Sequence, residues 1–411
     1  MRERVELVPN KLRGTVVVPP SKSISHRYII CAALADDIST ISNIQLSDDI
    51  KATMTALNQL GVAEFEIMDA EDGKYFNLKV APKNNWNVDT DIFCNESGST
   101  LRFLIPICLA KKGCYTFLGE GKLLDRPLDS YINLFNSKGV KFTPKCTFDG
   151  ALVAGEYELA GNISSQYISG LLFTLPLLDG NSRLVINTKV ESKDYIDLTL
   201  DALDKFGIEI ENINYTEYII KGNQKYKAGN YVVESDFSQA AFFLCAAALG
   251  SDVICRGIDY STSKQGDKVI IDIIERMKQG DKLVATDIDA SQCPDLVPVL
   301  TVLCSLAKGT SRIYNAGRLR IKESDRLKSI SCELNSIGGN IEERKDELII
   351  NGISEFRGGE TSSWNDHRIA MSIAIAATVS SGNVIINNAD SVKKSYPDFW
   401  DEYINLGGKI L

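Results

Sequence analysis

Histidine is almost missing: the 411 residues hold two, His26 and His367. A zinc site of ordinary composition is therefore not expected, since such sites draw on several His and Cys ligands. The ten cysteines form no C-x-x-C pair, and Cys31, Cys108, Cys245 and Cys304 stand inside apolar segments. They read as buried, reduced thiols of a cytosolic protein and not as a disulfide framework. No apolar run reaches the ~18 residues that a membrane helix needs, and Met1-Arg2-Glu3-Arg4 opens no signal-peptide pattern. A surplus of basic charge is missing too. With 45 Lys and Arg against 54 Asp and Glu the net charge is −9, which argues against a nucleic-acid or membrane surface. What remains is a cytoplasmic globular chain whose partners are small molecules. It is too long for one ordinary core, so two domains are expected.

What is present is a repeat. Ser21-Lys22-Ser23-Ile24-Ser25-His26-Arg27 opens the apolar run Tyr28 to Ala35. The same order, a polar cluster before an apolar segment, recurs at Ser97-Gly98-Ser99-Thr100-Leu101-Arg102, Ser164-Ser165-Gln166, Asp236-Phe237-Ser238-Gln239, Pro294-Asp295 and Asp366-His367-Arg368. Each reads as the start of a buried helix, with serine or aspartate side chains accepting from the free N–H groups of the first turn. Amphipathic helices alternate with these and end at Gly61, Gly139, Gly207, Gly280, Gly338-Gly339 and Gly407-Gly408, where glycine supplies the left-handed cap. The period of about 60–80 residues makes each repeat a unit of helices and strands. Six repeats divide as three plus three, with the clearest break at Val233-Glu234-Ser235. Arg4 to Val8 and Gly14 to Val18 read as two strands joined by a polar turn.

Basic residues gather at the polar helix starts: Lys22, Arg27, Arg102, Arg126, Lys322, Arg326, Arg368 and Lys394. Helix dipoles and free N–H groups favour anions at these ends, arginine adds bidentate recognition of carboxylate or phosphate, and lysine adds a point charge. Small, multiply charged anions are the expected ligands. Few groups in this set can move protons. Asp295 precedes an apolar helix and Glu323 lies between Lys322 and Arg326, where cations should keep a carboxylate ionised and suited to act as a base. Helix capping is the competing role for both.

Pro20-Ser21-Lys22-Ser23-x-Ser25-x-Arg27, Ser164-Ser165-Gln166, Pro294-Asp295, Arg320-Ile321-Lys322-Glu323-Ser324-Asp325-Arg326, Asn365-Asp366-His367-Arg368 and Lys394-Ser395-Tyr396-Pro397-Asp398 together resemble, in order and spacing, the 5-enolpyruvylshikimate-3-phosphate synthase family of enolpyruvyl transferases. The resemblance implies an α/β fold: a two-domain inside-out α/β barrel, each domain three repeats with buried helices and outer mixed sheets. It implies an N-terminal domain over 21–234 and a discontinuous C-terminal domain over 1–20 and 235–411. It further implies transfer of the enolpyruvyl group of phosphoenolpyruvate to the 5-hydroxyl of shikimate-3-phosphate in aromatic amino acid biosynthesis. Shikimate-3-phosphate would be held by Lys22, Ser23, Arg27, Ser164, Ser165, Gln166, Ser192, Tyr195, Asp295 and Lys322. Phosphoenolpyruvate would be held by Lys22, Gly98, Arg126, Gln166, Arg326, Arg368 and Lys394, the position that glyphosate takes in the family. Asp295, Glu323 and Lys22 form the implied catalytic set, Asp295 taking the proton of the attacking hydroxyl and Glu323 serving the methylene carbon. No metal or other cofactor is implied, and a monomer is expected.

The chain departs from the family pattern in places: Glu96 stands where Asn is frequent, Phe103 follows Arg102 where Pro is common, and Asp194 replaces a usual Pro before Tyr195. The Asn contact expected before the Arg-x-Lys-Glu motif falls on Asn315 or Arg318. Two alternatives stay open on sequence. One is a UDP-N-acetylglucosamine enolpyruvyl transferase, although the loop from Gly121 to Pro127 lacks its Cys. The other is a non-catalytic phosphometabolite-binding protein, although Asp295 and Glu323 are both present.

Overall fold

The structure is a computed structural model that describes residues 3–70, 73–83, 85–280 and 282–411. The chain forms two compact units, Pro20–Glu234 and Met1–Pro19 with Ser235–Leu411. Pro20 thus belongs with the residues that follow it, one position before the break read from sequence. Glu234 accepts the Ser21 amide at 2.8 Å, which closes the first unit where its chain enters and leaves.

Among the described residues twelve α-helices alternate in character. The buried set is α1 (Lys22–Ala33), α3 (Gly98–Cys108), α5 (Ser165–Thr174), α7 (Phe237–Ala248), α9 (Val297–Ser305) and α11 (His367–Ala377). The amphipathic set is α2 (Asp48–Gln59), α4 (Asp129–Ser137), α6 (Lys193–Lys205), α8 (Val269–Met277), α10 (Arg326–Ser336) and α12 (Phe399–Asn405). Every residue of α11 is buried, and so is every residue of α1 from Ile24 onward. By contrast α4 buries Tyr131, Leu134 and Phe135, the i, i+3, i+4 stripe of a helix facing a core on one side. Helices wet on no side need small residues where backbones meet. Gly170 lets α5 lie against α3, because a Cβ there would come within 2.6 Å of the Arg102 carbonyl oxygen.

The caps follow the sequence with three exceptions, one of them at Pro294-Asp295, where the N-cap of α9 is Leu296 and makes no side-chain cap bond. Ser97, Ser164, Asp236 and Asp366 each accept a backbone N–H of the first turn. Ser21 does not: its carbonyl receives the Ser25 hydroxyl at 2.8 Å, and its side chain makes no cap bond. Gly61, Gly139, Gly207, Gly280, Gly338 and Gly407 have positive φ, from 60° at Gly280 to 100° at Gly338. Gly280, however, follows the short strand Lys278–Gln279 and not a helix, since α8 stops at Met277.

Among the described residues five four-stranded sheets share one pattern, a parallel pair extended by two antiparallel strands. In the first unit Asn230–Val232, Ser39–Ile44, Phe76–Pro82 and Ala63–Asp69 form such a sheet, and the two others follow at 90–150 and 156–220. In the second unit Arg4–Val8 pairs antiparallel with Val384–Asn387 and with Lys409–Ile410. Arg13–Val17 pairs parallel with Asp252–Arg256. The two N-terminal strands therefore do not pair with each other. The turn between them carries buried Leu12 into the core and hands the chain from one sheet to the next. Each unit has its own contiguous apolar core lined by its buried helices.

Candidate active site

In the first unit the side chains expected to hold substrate collect at the N-terminal turns of α1, α3, α5 and α6. Lys22 Nζ donates to Asp49 Oδ2 at 2.7 Å, an ion pair between α1 and the first turn of α2. Arg27 is buried, and its three nitrogens donate to Thr199 Oγ1 (2.9 Å), the Ser23 carbonyl (2.7 Å) and the Tyr195 carbonyl (2.7 Å). Burial lowers its pKa to about 10. One guanidinium thus ties Ser23 to the α6 turn that carries Ser192 and Tyr195. Ser192 is buried with φ 53° and ψ 50°, a left-handed conformation that costs a serine free energy and recurs at functional turns.

On α3 and α5, Arg102 Nη1 donates to Gln166 Oε1 at 2.8 Å, and Gln166 Nε2 donates to Ser99 Oγ at 2.9 Å. A Cβ at Gly98 would lie 2.8 Å from Arg126 Nη1 and 3.0 Å from Arg102 Nη1. Two buried guanidiniums therefore close over a backbone that only glycine leaves bare, beside the α3 N-terminus. Ser164 caps α5 through the Gln166 amide at 3.3 Å, and Ser165 is buried next to it. Lys22, Ser23, Arg27, Gly98, Arg126, Ser164, Ser165, Gln166, Ser192 and Tyr195 all lie in this unit, on the starts or approaches of its helices.

In the second unit Asp295 is the hub. Its Oδ1 accepts from Arg326 Nη1 at 2.8 Å and lies 3.6 Å from Lys322 Nζ, while its Oδ2 accepts from Arg368 Nη2 at 2.9 Å. Burial pushes the Asp295 carboxyl up, but Arg368, Lys322 and Arg326 outweigh it and hold the group well below the usual carboxylate range. The half-buried Lys322 ammonium moves down from the lysine range, by loss of water first, with Asp295 opposing and Arg326 and Arg318 assisting.

Arg326 is 1% exposed and is shared among three carboxylates: Asp295, Glu323 Oε2 at 2.7 Å and Asp366 Oδ2 at 2.8 Å. Glu323 is thus held against a guanidinium one turn away. Asp366 caps α11 through the Arg368 amide at 2.9 Å and grips Arg326 at the same time. Lys394 donates to the Asn365 carbonyl at 2.7 Å. Trp364 and Asn365, just before that cap, have φ of 55° and 57°.

Asp49 and Asp366 are not among the site residues expected from sequence, and Arg102 is expected only as one of the basic helix starts, though each adjoins a site residue. Their signal was present, in an acidic first turn of α2, a basic residue four positions after Gly98, and an aspartate cap before Arg368. Asn315 Nδ2 donates to Asp289 Oδ1 at 3.0 Å, and Arg318 Nη2 donates to the Ser291 carbonyl at 2.7 Å. Among the described residues no group of three or more His, Cys, Asp or Glu side chains is placed to hold a metal ion, and no helix is long and apolar enough to cross a membrane.

The profile of the family described as EPSP synthase (3-phosphoshikimate 1-carboxyvinyltransferase) matches residues 8–403. The chain belongs to the EPSP synthase family. Among curated relatives, the 3-phosphoshikimate 1-carboxyvinyltransferase of Clostridium perfringens (strain 13 / Type A) is 50% identical over 427 residues, covering 99% of both chains. That of Clostridium novyi (strain NT) is 48% identical over 428 residues, covering 99% of this chain and 98% of its own. A solved EPSP synthase of Acinetobacter baumannii aligns with a TM-score of 0.78 at 24% identity, covering 99% of each chain, and carries the same fold. The rival sugar-nucleotide transferase and the non-catalytic binder are set aside by this family membership.

Proposed function

We propose that the two clusters divide the work of a 3-phosphoshikimate 1-carboxyvinyltransferase, the reaction named for the family. The chain transfers the enolpyruvyl group of phosphoenolpyruvate to the 5-hydroxyl of shikimate-3-phosphate and releases phosphate, a step of aromatic amino acid biosynthesis. Both substrates carry a phosphate and a carboxylate, which matches a net-acidic chain whose buried cations gather at helix starts. Ser23, Arg27, Ser164, Ser165, Gln166, Ser192, Tyr195 and Lys322 hold shikimate-3-phosphate. Gly98, Arg126, Arg326, Arg368 and Lys394 hold phosphoenolpyruvate, and Lys22 and Gln166 serve both.

The observation that carries the mechanism is Asp295 bound by Arg326 and Arg368 through both oxygens. So paired, its carboxylate is a weak base. An anion that takes over those N–H groups returns basicity to Asp295, so phosphoenolpyruvate binding prepares the group that accepts the 5-hydroxyl proton. Glu323, entering the cycle protonated, gives its proton to C3 of phosphoenolpyruvate as the hydroxyl oxygen bonds to C2. In the tetrahedral intermediate Glu323 takes back a C3 proton and Asp295 passes the hydroxyl proton to the leaving phosphate, which restores the double bond and returns both side chains to their starting protonation states. The chain acts as a cytoplasmic monomer.

Phosphate release is measured with phosphoenolpyruvate and either shikimate-3-phosphate or UDP-N-acetylglucosamine as acceptor. Turnover with shikimate-3-phosphate alone is expected, and turnover with neither would overturn the reading. Sedimentation equilibrium tests the monomer.

A further inference from the structure

Two consecutive turns of α1 and α2 are joined like rungs. Lys22 and His26 are four residues apart on α1, and Asp49 and Thr53 are four apart on α2, so each pair shares a face. The outer rung is the Lys22–Asp49 ion pair at 2.7 Å, and the inner rung is His26 Nδ1 to Thr53 Oγ1 at 2.8 Å. Thr53 Oγ1 lies 2.7 Å from Thr100 Oγ1 on α3, whose hydroxyl donates to Ser97 Oγ at 2.7 Å. Ser97 is the α3 cap and also accepts the Thr100 amide at 3.2 Å. His26 is 1% exposed, and Thr53, Thr100 and Ser97 are wholly buried.

We infer that His26 and Thr53 are positioning residues that fix where Lys22 and the Gly98 turn present their polar groups. This rests on the reading above that Lys22 and Gly98 hold phosphoenolpyruvate. The proton count sets the direction of the chain. Each hydroxyl has one hydrogen. Thr100 uses its own on Ser97, so Thr53 donates to Thr100 at 2.7 Å in preference to the Asp49 carbonyl at 3.4 Å, and His26 Nδ1 donates to Thr53. The ring is then the neutral Nδ1–H tautomer, and its Nε2, which has no hydrogen-bond partner, is a bare acceptor. The reverse chain would bury an unpaired Nε2–H, and orphaned buried N–H groups are rarer than under-satisfied acceptors. Burial first, then Lys22 and Arg27, keep the imidazole from charging. The consequence is a rigid link across three helix starts. Lys22, with a long flexible stem, is held by the turn beneath it.

The chain has two histidines, so nitrogen-15 spectra of histidine-labelled protein are sparse, and loss of a signal in His26→Asn assigns it. The wild type should show His26 as the Nδ1–H tautomer, unchanged from about pH 5 to pH 8, around the ordinary histidine value. Thr53→Val should abolish the tautomer preference and raise KM for phosphoenolpyruvate at least fivefold, with kcat changed less than twofold. Thr53→Ser, which keeps the hydroxyl, should restore both. An Nε2–H tautomer in the wild type, an unchanged KM in Thr53→Val, or a Ser variant that behaves like Val would overturn the inference. The spectra need no substrate, so their failure is distinct from a failure of the proposed reaction.

Discussion

Asp295 and Arg326 are joined by a 2.8 Å hydrogen bond between a carboxylate assigned to proton transfer and a guanidinium assigned to substrate. Arg368 grips the other oxygen of the same carboxylate at 2.9 Å. With Asp295 as the proposed base and Arg326 and Arg368 as the proposed ligands of phosphoenolpyruvate, the base would occupy with its own charge donors that the substrate's anions require, and affinity and basicity would be coupled through one side chain.

Asp295→Asn keeps the shape and removes that competing charge. Turnover should fall by about 10²–10⁴, the range for a lost general base. Calorimetric affinity for phosphoenolpyruvate should rise, because Arg326, Arg368 and Lys322 lose an internal anion. Wild-type turnover, or weaker binding of phosphoenolpyruvate, would refute the coupling.

The same residue makes stability depend on acid. Its folded pKa is depressed, so its contribution is present above the unfolded carboxyl value of about 3.9 and is lost as pH falls below it toward the folded value. Urea unfolding of wild type should weaken steeply below about pH 4. Asp295→Asn should be less stable than wild type at pH 7 yet lose less on acidification. Parallel curves for the two proteins would refute this.

Gly98→Ala places a methyl 2.8 Å from Arg126 Nη1 and 3.0 Å from Arg102 Nη1. Both atoms end flexible side chains, so the helix survives and the guanidiniums move. KM for phosphoenolpyruvate should rise, and the inhibition constant for the longer glyphosate should rise more, at least tenfold or about 1.4 kcal/mol. Equal loss of both affinities would remove Gly98 from the site.

Ser192 separates strain from recognition. Ser192→Gly should raise unfolding free energy by about 1 kcal/mol by relieving the left-handed backbone, while raising KM for shikimate-3-phosphate through the lost hydroxyl. Ser192→Ala should raise KM without the gain in stability. A Gly variant no more stable than wild type would show that the turn stores no strain.

What the amino-acid order determined by itself is everything written within one or two helical turns. The alternation of largely buried and amphipathic helices, most of the polar caps and the glycines of positive φ are local, because a helix reads its neighbours at i+3 and i+4. The basic helix starts were legible for the same reason, and so were the family motifs built on them. Partners decided by the path of the chain were not legible. Arg4–Val8 joins a strand some 380 residues away and ignores Arg13–Val17 next to it, since pairing depends on where the core delivers each strand. Lys22 looked like an open cation, and only folding brings Asp49 to it. Arg326 reads from sequence as a ligand for substrate, and only packing adds three carboxylates around its buried guanidinium. Desolvation is the reason: charges this deep must be paired, and tertiary structure alone chooses their partners.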